Sequence, residues 1–201
     1  MRINIEGNIG SGKTTLAQVL FETLKADELI LEEFENNPYL PLLYRGLDVG
    51  FQTEMFFLVA RYKQYLSSKC KNGLIISDYD MLKNKIFASI TIKNETEKEK
   101  FFKIYNILTD NIPKADILIY IDTSVPTIVE RIKKRNRSFE NQIDIEYLTL
   151  VDKKYKEYFS LLKSSDYIHI DGDNFNVFNP EEVEKLLIKI KEKMGVKKWV
   201  K

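Results

Sequence analysis

The sequence predicts a three-layer α/β fold around a five-stranded parallel sheet. Three observations predict it. Short apolar runs of strand type recur along the chain, and helical patterns separate them. The run Ile117-Leu118-Ile119-Tyr120-Ile121 has no polar face, as a central strand covered on both sides requires. The first run leads straight into Gly7-Asn8-Ile9-Gly10-Ser11-Gly12-Lys13-Thr14, which fits G-x-x-x-x-G-K-[ST] in the strand–loop–helix setting of a phosphate-binding P-loop.

Whole-chain properties narrow the field. A chain of 201 residues suits one domain with a continuous core, so residues 1–201 are read as a single unit. Basic and acidic side chains nearly cancel, 31 against 30, which argues against a nucleic-acid polymer or a membrane as partner. The single cysteine, Cys70, excludes an internal disulfide and a Cys-rich zinc site, and within a helical stretch it reads as a packing residue. The first strand starts at Arg2, which leaves no room for a signal peptide, and no apolar run reaches spanning length. A soluble, cytoplasmic protein is expected.

Arg2-Ile3-Asn4-Ile5-Glu6 is the first strand. In the loop after it, glycines let several N–H groups turn inward, and the next helix adds its positive end. Gly7, Asn8, Ile9, Gly10, Ser11, Gly12, Lys13, Thr14 and Thr15 are therefore the candidate nucleotide-binding segment. Lys13 supplies a mobile charge for the outer phosphates, and the Thr14 hydroxyl can hold Mg²⁺. Leu16, Val19, Leu20 and Leu24 mark the buried face of the helix.

Glu28-Leu29-Ile30-Leu31 is a second strand, ending in the polar turn Glu32-Glu33-Phe34-Glu35-Asn36-Asn37-Pro38. Carboxylates just past a strand lie at the carboxyl edge of such a sheet, where ligands bind. A short helix over 39–44 and a long one over about 49–71 follow, with Gly46 and Gly50 between them. Glu54, Phe57, Leu58 and Arg61 share one face of the long helix. Its carboxylate and guanidinium suit an ion pair or a polar pocket equally. Asn72-Gly73 turns the chain into the buried-type strand Leu74-Ile75-Ile76-Ser77, which ends at Asp78. An acidic residue there is the usual Mg²⁺ partner of a P-loop, although many strands end in aspartate.

Residues 81–92 read as irregular, then helical, and 96–111 as a helix. The strand over 115–122 follows. Pro126 then opens a helix that runs into Arg131-Ile132-Lys133-Lys134-Arg135-Asn136-Arg137. The lysines suit a solvated helix end. The three arginines suit a lid that closes on phosphates, because guanidinium grips them bidentately. A helix over 143–163 and the strand Tyr167-Ile168-His169-Ile170 come next. His169 reads as a satisfied sheet histidine, since the chain has no second His to ligate a metal with it. Asp171-Gly172-Asp173-Asn174 forms a turn that either covers an adenine or is an ordinary loop. A helix over about 180–193 and a basic tail close the chain.

Taken together, these residues resemble the deoxyribonucleoside kinases, in particular the bacterial deoxyadenosine/deoxyguanosine kinase type. The resemblance runs from residue 3 to about 180. It is carried by Glu32…Asn37-Pro38-Tyr39, Glu54…Arg61, Asp78…Ile86-Phe87-Ala88 and Arg131-Ile132-x-x-Arg135-x-Arg137, in the family's order. It implies a P-loop kinase fold with an Arg-rich lid over about 131–142, and ATP or another NTP as donor. Glu32 looks like the base that takes the proton from the nucleoside 5′-hydroxyl. Asp78 looks like the acidic residue near Mg²⁺. Arg135 and Arg137 look like the lid cations, with Arg131 opening that segment. Glu140 looks like the lid carboxylate for the sugar 3′-hydroxyl, with Tyr44 as its candidate partner. Glu54, Arg61 and Asn84 fall where the family reads the base, and Phe57 and Phe87 where it flanks the base. A homodimer through the long helix is implied as well. Two departures stand out. Tyr79 occupies the place of an arginine that normally touches the transferring phosphoryl, which leaves Lys83 or Lys85 to compensate. Glu54 replaces a common glutamine, and Gln52 points to another helix face.

The expected reaction is phosphoryl transfer from ATP to the 5′-hydroxyl of a deoxyribonucleoside, purine favoured, in nucleotide salvage. The catalytic set would be Lys13, Glu32, Asp78, Arg135 and Arg137, with Thr14 and Asp78 holding Mg²⁺. An ionised Glu54 accepts hydrogen bonds but cannot donate, which suits the adjacent N1–H and amino donors of guanine better than adenine. Two other readings remain. A monophosphate kinase of the thymidylate kinase type would need a further cation for the acceptor phosphate, where Tyr79 stands. A passive nucleotide switch would want an Asn-Lys-x-Asp run, which Asn84-Lys85-Ile86-Phe87 does not supply.

Overall fold

The computed structural model describes residues 1–68, 73–137, 140 and 143–195. Cys70, Asn72, part of the expected lid and the basic tail lie outside these. Five strands form one parallel sheet: β1 (Arg2–Gly7), β2 (Glu28–Ile30), β3 (Ile75–Ser77), β4 (Ile117–Asp122) and β5 (Tyr167–Asp171). Their spatial order is β2-β3-β1-β4-β5. Every pairing is parallel, and β1 is central, with Asn4 opposite Ser77 on one side and Leu118 on the other. All five strands therefore end at the same edge, and the loop leaving β1 lies at its middle.

Helices cover both faces. Strand residues Ile3, Ile5, Ile76, Ile119, Ile121, Ile168 and Ile170 pack against Leu16, Ala17 and Leu20 of α1 (Lys13–Leu24) and Leu186 and Ile190 of α8 (Pro180–Met194). Ala17 is buried where Val19 and Leu24 are only half-buried, so the buried face of α1 is turned slightly from the expected one. On the opposite face, Ile75 and Tyr79 pack with α3 (Gly50–Ser67), α4 (Leu82–Thr91) and α5 (Glu95–Thr109). Tyr120 of β4 stacks on Phe159 of α7 (Ile145–Ser160), ring centroids 4.0 Å apart. Ile128 and Ile132 of α6 (Val125–Arg135) pack against Leu148 of α7. The short α2 (Leu40–Tyr44) leads towards α3. No helix among the described residues is long and apolar enough to cross a membrane.

The central strand departs from its sequence pattern. Arg2, Asn4 and Glu6 alternate with isoleucines, yet both faces of β1 are buried. Much of the polar face is bonded internally, although Asn4 Oδ1 and Arg2 Nη1 have no hydrogen-bond partner among the described residues. Asn4 donates to Tyr65 (2.8 Å) and to Asp80 (2.6 Å), while Glu6 accepts from the Asp80 N–H (2.7 Å) and the Tyr155 hydroxyl (2.6 Å). A buried polar face is tolerable only when it is bonded in this way. It ties the strand that carries the phosphate loop to α3, α4 and α7.

Candidate active site

The loop after β1 curls back on itself. Gly12 takes a left-handed φ of 99°, which lets α1 begin at Lys13 with its first N–H groups facing the loop. The Lys13 ammonium donates to the carbonyls of Gly7 (2.9 Å) and Asn8 (2.7 Å). Burial, and then the nearby charge of Lys83, push this amine down to about 7. An anion placed in the loop would reverse that shift by supplying the missing counter-charge. The Asn8 amide donates to the Leu148 carbonyl (2.9 Å), fastening the loop to α7.

Beside the loop, the ends of β2 and β3 converge. Thr14 Oγ1 donates to one oxygen of Asp78 (2.6 Å), and the other oxygen accepts from the Glu32 backbone N–H (2.8 Å). Burial raises the Asp78 carboxyl, and the neighbouring Glu32 charge adds to it. A hydroxyl and a carboxylate brought together next to a phosphate loop are hard oxygen donors, and that donor set fits Mg²⁺.

Glu32 itself is gripped from two sides. Arg61 of α3 pairs with Oε1 and Lys83 of α4 with Oε2. Burial opposes its charge, but Lys83 and then Arg61 outweigh it and hold the carboxyl well below the usual range. Beyond Glu32 a cavity opens, walled by Tyr44, Glu54, Phe57, Phe87 and Tyr147 and bounded by Arg135, Arg137 and Glu140. Tyr147 sits edge-on to both Tyr44 (6.2 Å) and Phe87 (6.4 Å).

Several buried polar atoms of this region have no hydrogen-bond partner among the described residues: Glu54 Oε2, Arg61 Nε and Nη1, and both amide atoms of Asn84. Glu54 Oε1 accepts from Thr91 (3.1 Å), and burial, against the pull of Arg61, pushes its carboxyl up to about 7. Leaving such atoms unpaired costs about 1–3 kcal/mol each unless a ligand completes them. Glu54 and Arg61 therefore line a polar pocket rather than pair with one another, since the guanidinium gives its salt bridge to Glu32. Asn84 is fully buried on α4, next to Lys83 of the cavity wall.

The expected lid cations are drawn together by one carboxylate. Arg135 donates to Glu140 through Nε (3.0 Å) and Nη2 (2.6 Å), and Arg137 reaches it at 3.4 Å while lying 4.4 Å over the Phe34 ring. Residues 138, 139, 141 and 142 of the expected lid lie outside the described residues. Arg131 faces another cleft, donating to the carbonyls of Ser11 (3.1 Å) and Gly172 (2.7 Å). Gly10, Ser11, Gly12 and Thr15 floor that cleft, and Phe175 to Phe178 wall it. The expected adenine-covering turn at 171–174 contributes only Gly172 to it.

Other positions resolve plainly. Tyr79 is fully buried, its hydroxyl bonded to Gln64 (2.6 Å), so it points into the core and away from the cavity. Lys85 is exposed over the Tyr105 ring, while Lys83 reaches Glu32. Gln52 lines an outer groove of α3. His169 is half-exposed on the edge strand, 3.4 Å from Asp122, rather than enclosed in the sheet. Tyr147, Phe34 and Phe175 to Phe178 escaped sequence reasoning. Only the aromatic repeat Phe175-Asn176-Val177-Phe178 carried a local signal.

A phosphate loop beside Glu32 and a partly unsatisfied chamber next to it make this a P-loop phosphotransferase with a small acceptor. The deoxynucleoside kinase family model matches residues 3–194, and the chain belongs to that family. It is 40% identical to the deoxyguanosine kinase of Bacillus subtilis over 94% of this chain and 96% of that one. It is 31% identical to the deoxyadenosine kinase of Lactobacillus acidophilus, covering 96% and 95% of the two chains. Among solved structures, deoxyadenosine kinase from M. mycoides with bound dATP superposes with a TM-score of 0.82 at 29% identity, covering 95% of this chain and all of that one. The same enzyme with bound dCTP gives 0.81 at 28% identity, covering 96% of this chain and all of that one.

Proposed function

We propose that this chain transfers the terminal phosphoryl of ATP, or another NTP, to the 5′-hydroxyl of a purine deoxyribonucleoside, with guanine favoured over adenine. One observation carries the reading: Glu32 lines one cavity with the phosphate loop on one side and a chamber with unpartnered buried polar atoms on the other. The substrates that name the two relatives, deoxyguanosine and deoxyadenosine, support it.

The donor phosphates lie in the loop against Lys13, with the donor base in the cleft between Arg131 and Phe178. Thr14 and Asp78 would hold Mg²⁺, which supplies charge neutralisation on the donor phosphates. The nucleoside enters the chamber with its base between Phe57 and Phe87, beside Glu54 and Arg61. Tyr44 and Glu140 meet the sugar. Glu32 takes the 5′-hydroxyl proton as the oxygen attacks the terminal phosphorus, and ADP departs with the electrons of the broken P–O bond. Arg135 and Arg137, released from Glu140, neutralise charge on the moving group. The enzyme works as a cytoplasmic homodimer. The outer face of α3, where Phe51, Met55 and Val59 line an apolar groove, supports that assembly.

ADP release with different acceptors tests the proposal. Formation that depends on deoxynucleosides, fastest with deoxyguanosine, is expected. Formation that depends on a deoxynucleoside monophosphate would show a monophosphate kinase, and acceptor-independent hydrolysis would show a nucleotide switch.

A further inference from the structure

Lys83, not the exposed Lys85, is the cation that reaches Glu32 where Tyr79 has turned away. It is buried in the first turn of α4, and its side chain lies in the wall that also holds Gly10, Lys13 and Thr14. Its ammonium thus lines the cavity that the phosphate loop and the acceptor chamber share, in contact with Glu32. The backbone under it is held firmly. The Asp80 N–H donates to Glu6 of β1 (2.7 Å), Asp80 Oδ1 accepts from the Leu82 N–H (2.9 Å), and the Lys83 N–H donates to the Asp80 carbonyl (3.1 Å). The base of Lys83 is thus tied to the strand that carries the phosphate loop, and only its flexible stem is left to reorient.

Taking up a proton is costly for Glu32 while both cations hold it, because each favours the charged carboxylate. Two salt bridges occupy its two oxygens. Arg61 is the fixed partner. Its guanidinium lies 4.8 Å over Phe57 and 5.5 Å over Tyr79, on a helix buried along that face. Lys83 lies 5.5 Å over the Phe87 ring and is the movable one because its single ammonium, with three donors, ends a flexible stem. The other cations of the site have different partners: Lys13 the loop carbonyls, Arg131 Ser11 and Gly172, and Arg135 and Arg137 Glu140.

We propose that Lys83 is a catalytic residue that changes partner during the reaction, its ammonium leaving Glu32 Oε2 for the transferring phosphoryl. The inference rests on the kinase reading above. As Lys83 swings, Oε2 becomes free to accept the 5′-hydroxyl proton. The O5′–P bond forms, the P–O bond to ADP breaks, and its electron pair leaves on ADP. Lys83 keeps its own protons throughout and returns to Glu32 when product leaves. One lysine thereby unmasks the base at the moment it neutralises the group being moved.

The test compares wild type with Lys83→Met and Lys83→Arg. Each is assayed for turnover, for binding of ADP and deoxyguanosine, and for binding of the ternary complex with aluminium fluoride, which mimics the phosphoryl in flight. Lys83→Met is expected to lose roughly 100- to 1,000-fold in kcat, the range for removal of one preorganised transition-state donor. Its binding of the fluoride complex should weaken by a similar factor, with ADP and deoxyguanosine binding within about threefold of wild type. Lys83→Arg keeps the charge and the fold, but its fork holds Glu32 more rigidly, so kcat should fall at least roughly tenfold. Turnover within about threefold of wild type in both variants overturns the proposal, as does equal weakening of ground-state and fluoride complexes, which marks a purely structural ion pair. If wild type shows no acceptor-dependent ADP formation, the kinase reading itself fails. Active wild type beside equally active variants removes Lys83 alone.

Discussion

Glu54→Gln should change which purine the enzyme prefers. Glu54 Oε1 is engaged by Thr91, while Oε2 is buried, unpartnered and beside Arg61 in the chamber wall. As a carboxylate it offers acceptors only, matching the N1–H and 2-amino donors of guanine. An amide in its place turns a donor towards a donor and leaves one hydrogen bond unmade. A buried donor left unmatched costs about 1–3 kcal/mol, which is roughly a 5- to 160-fold change in relative kcat/KM. Adenine, which shows a donor beside an acceptor, should gain what guanine loses. The carboxyl is pushed up to about 7 by burial, so wild type should itself move towards adenine as the pH falls from 8 to 6 and Glu54 gains a proton. The assay is kcat/KM for deoxyguanosine and deoxyadenosine at pH 6 and pH 8, for wild type and variant. A preference ratio unchanged by the substitution at pH 8 refutes the reasoning, and a pH-dependence that survives in Glu54→Gln refutes the assignment to this carboxyl.

Three other outcomes follow from the geometry. Glu32→Gln should lower turnover roughly 100- to 10,000-fold while nucleoside affinity, measured by calorimetry, stays near wild type; near-normal turnover removes Glu32 as the base. Glu6 is raised to about 7 by burial and by Asp80, so its folded-state pKa lies above its unfolded one. Its stabilising share is therefore complete below about pH 4.5 and lost as pH rises through about 7, a decline on the order of 3 kcal/mol. Urea unfolding between pH 5 and 8 should show a flatter pH-dependence in Glu6→Gln than in wild type, and identical slopes would contradict the assignment. Gly50→Ala places a methyl 2.0 Å from the Thr91 carbonyl, forcing the start of α3 off the end of α4. A loss of about 1–3 kcal/mol or more is expected from the denaturation midpoint, and an unchanged midpoint would mean that the two helices separate freely.

Much of this protein is local, and local features were legible. The phosphate loop needs a strand, glycines at fixed offsets, a lysine and a helix start, all within a few residues of one another. The five strands announced themselves by apolar runs and the helices by their period, because both patterns reflect nearest-neighbour geometry along the chain. Asp78 and Glu32 could be placed at the sheet edge because parallel strands all end there. What the chain could not announce are pairings between segments far apart in sequence. Glu54 and Arg61 share a helix face, but Arg61 pairs with Glu32, which comes from another strand end. Asn4 and Glu6 alternate with isoleucines as in a half-exposed strand, and their burial is made tolerable by partners from elsewhere in the chain: Asp80 and Tyr65 accept from Asn4, and Asp80 and Tyr155 donate to Glu6. Tyr79 leaves the site because a core pocket and Gln64 receive it, and Lys83 enters because Glu6 fixes the start of α4. The sequence by itself determined the sheet, its active edge and the donor loop. The tertiary structure decided which charges meet Glu32, because the partner of a buried charge is settled by packing and desolvation across segments rather than by position along the chain.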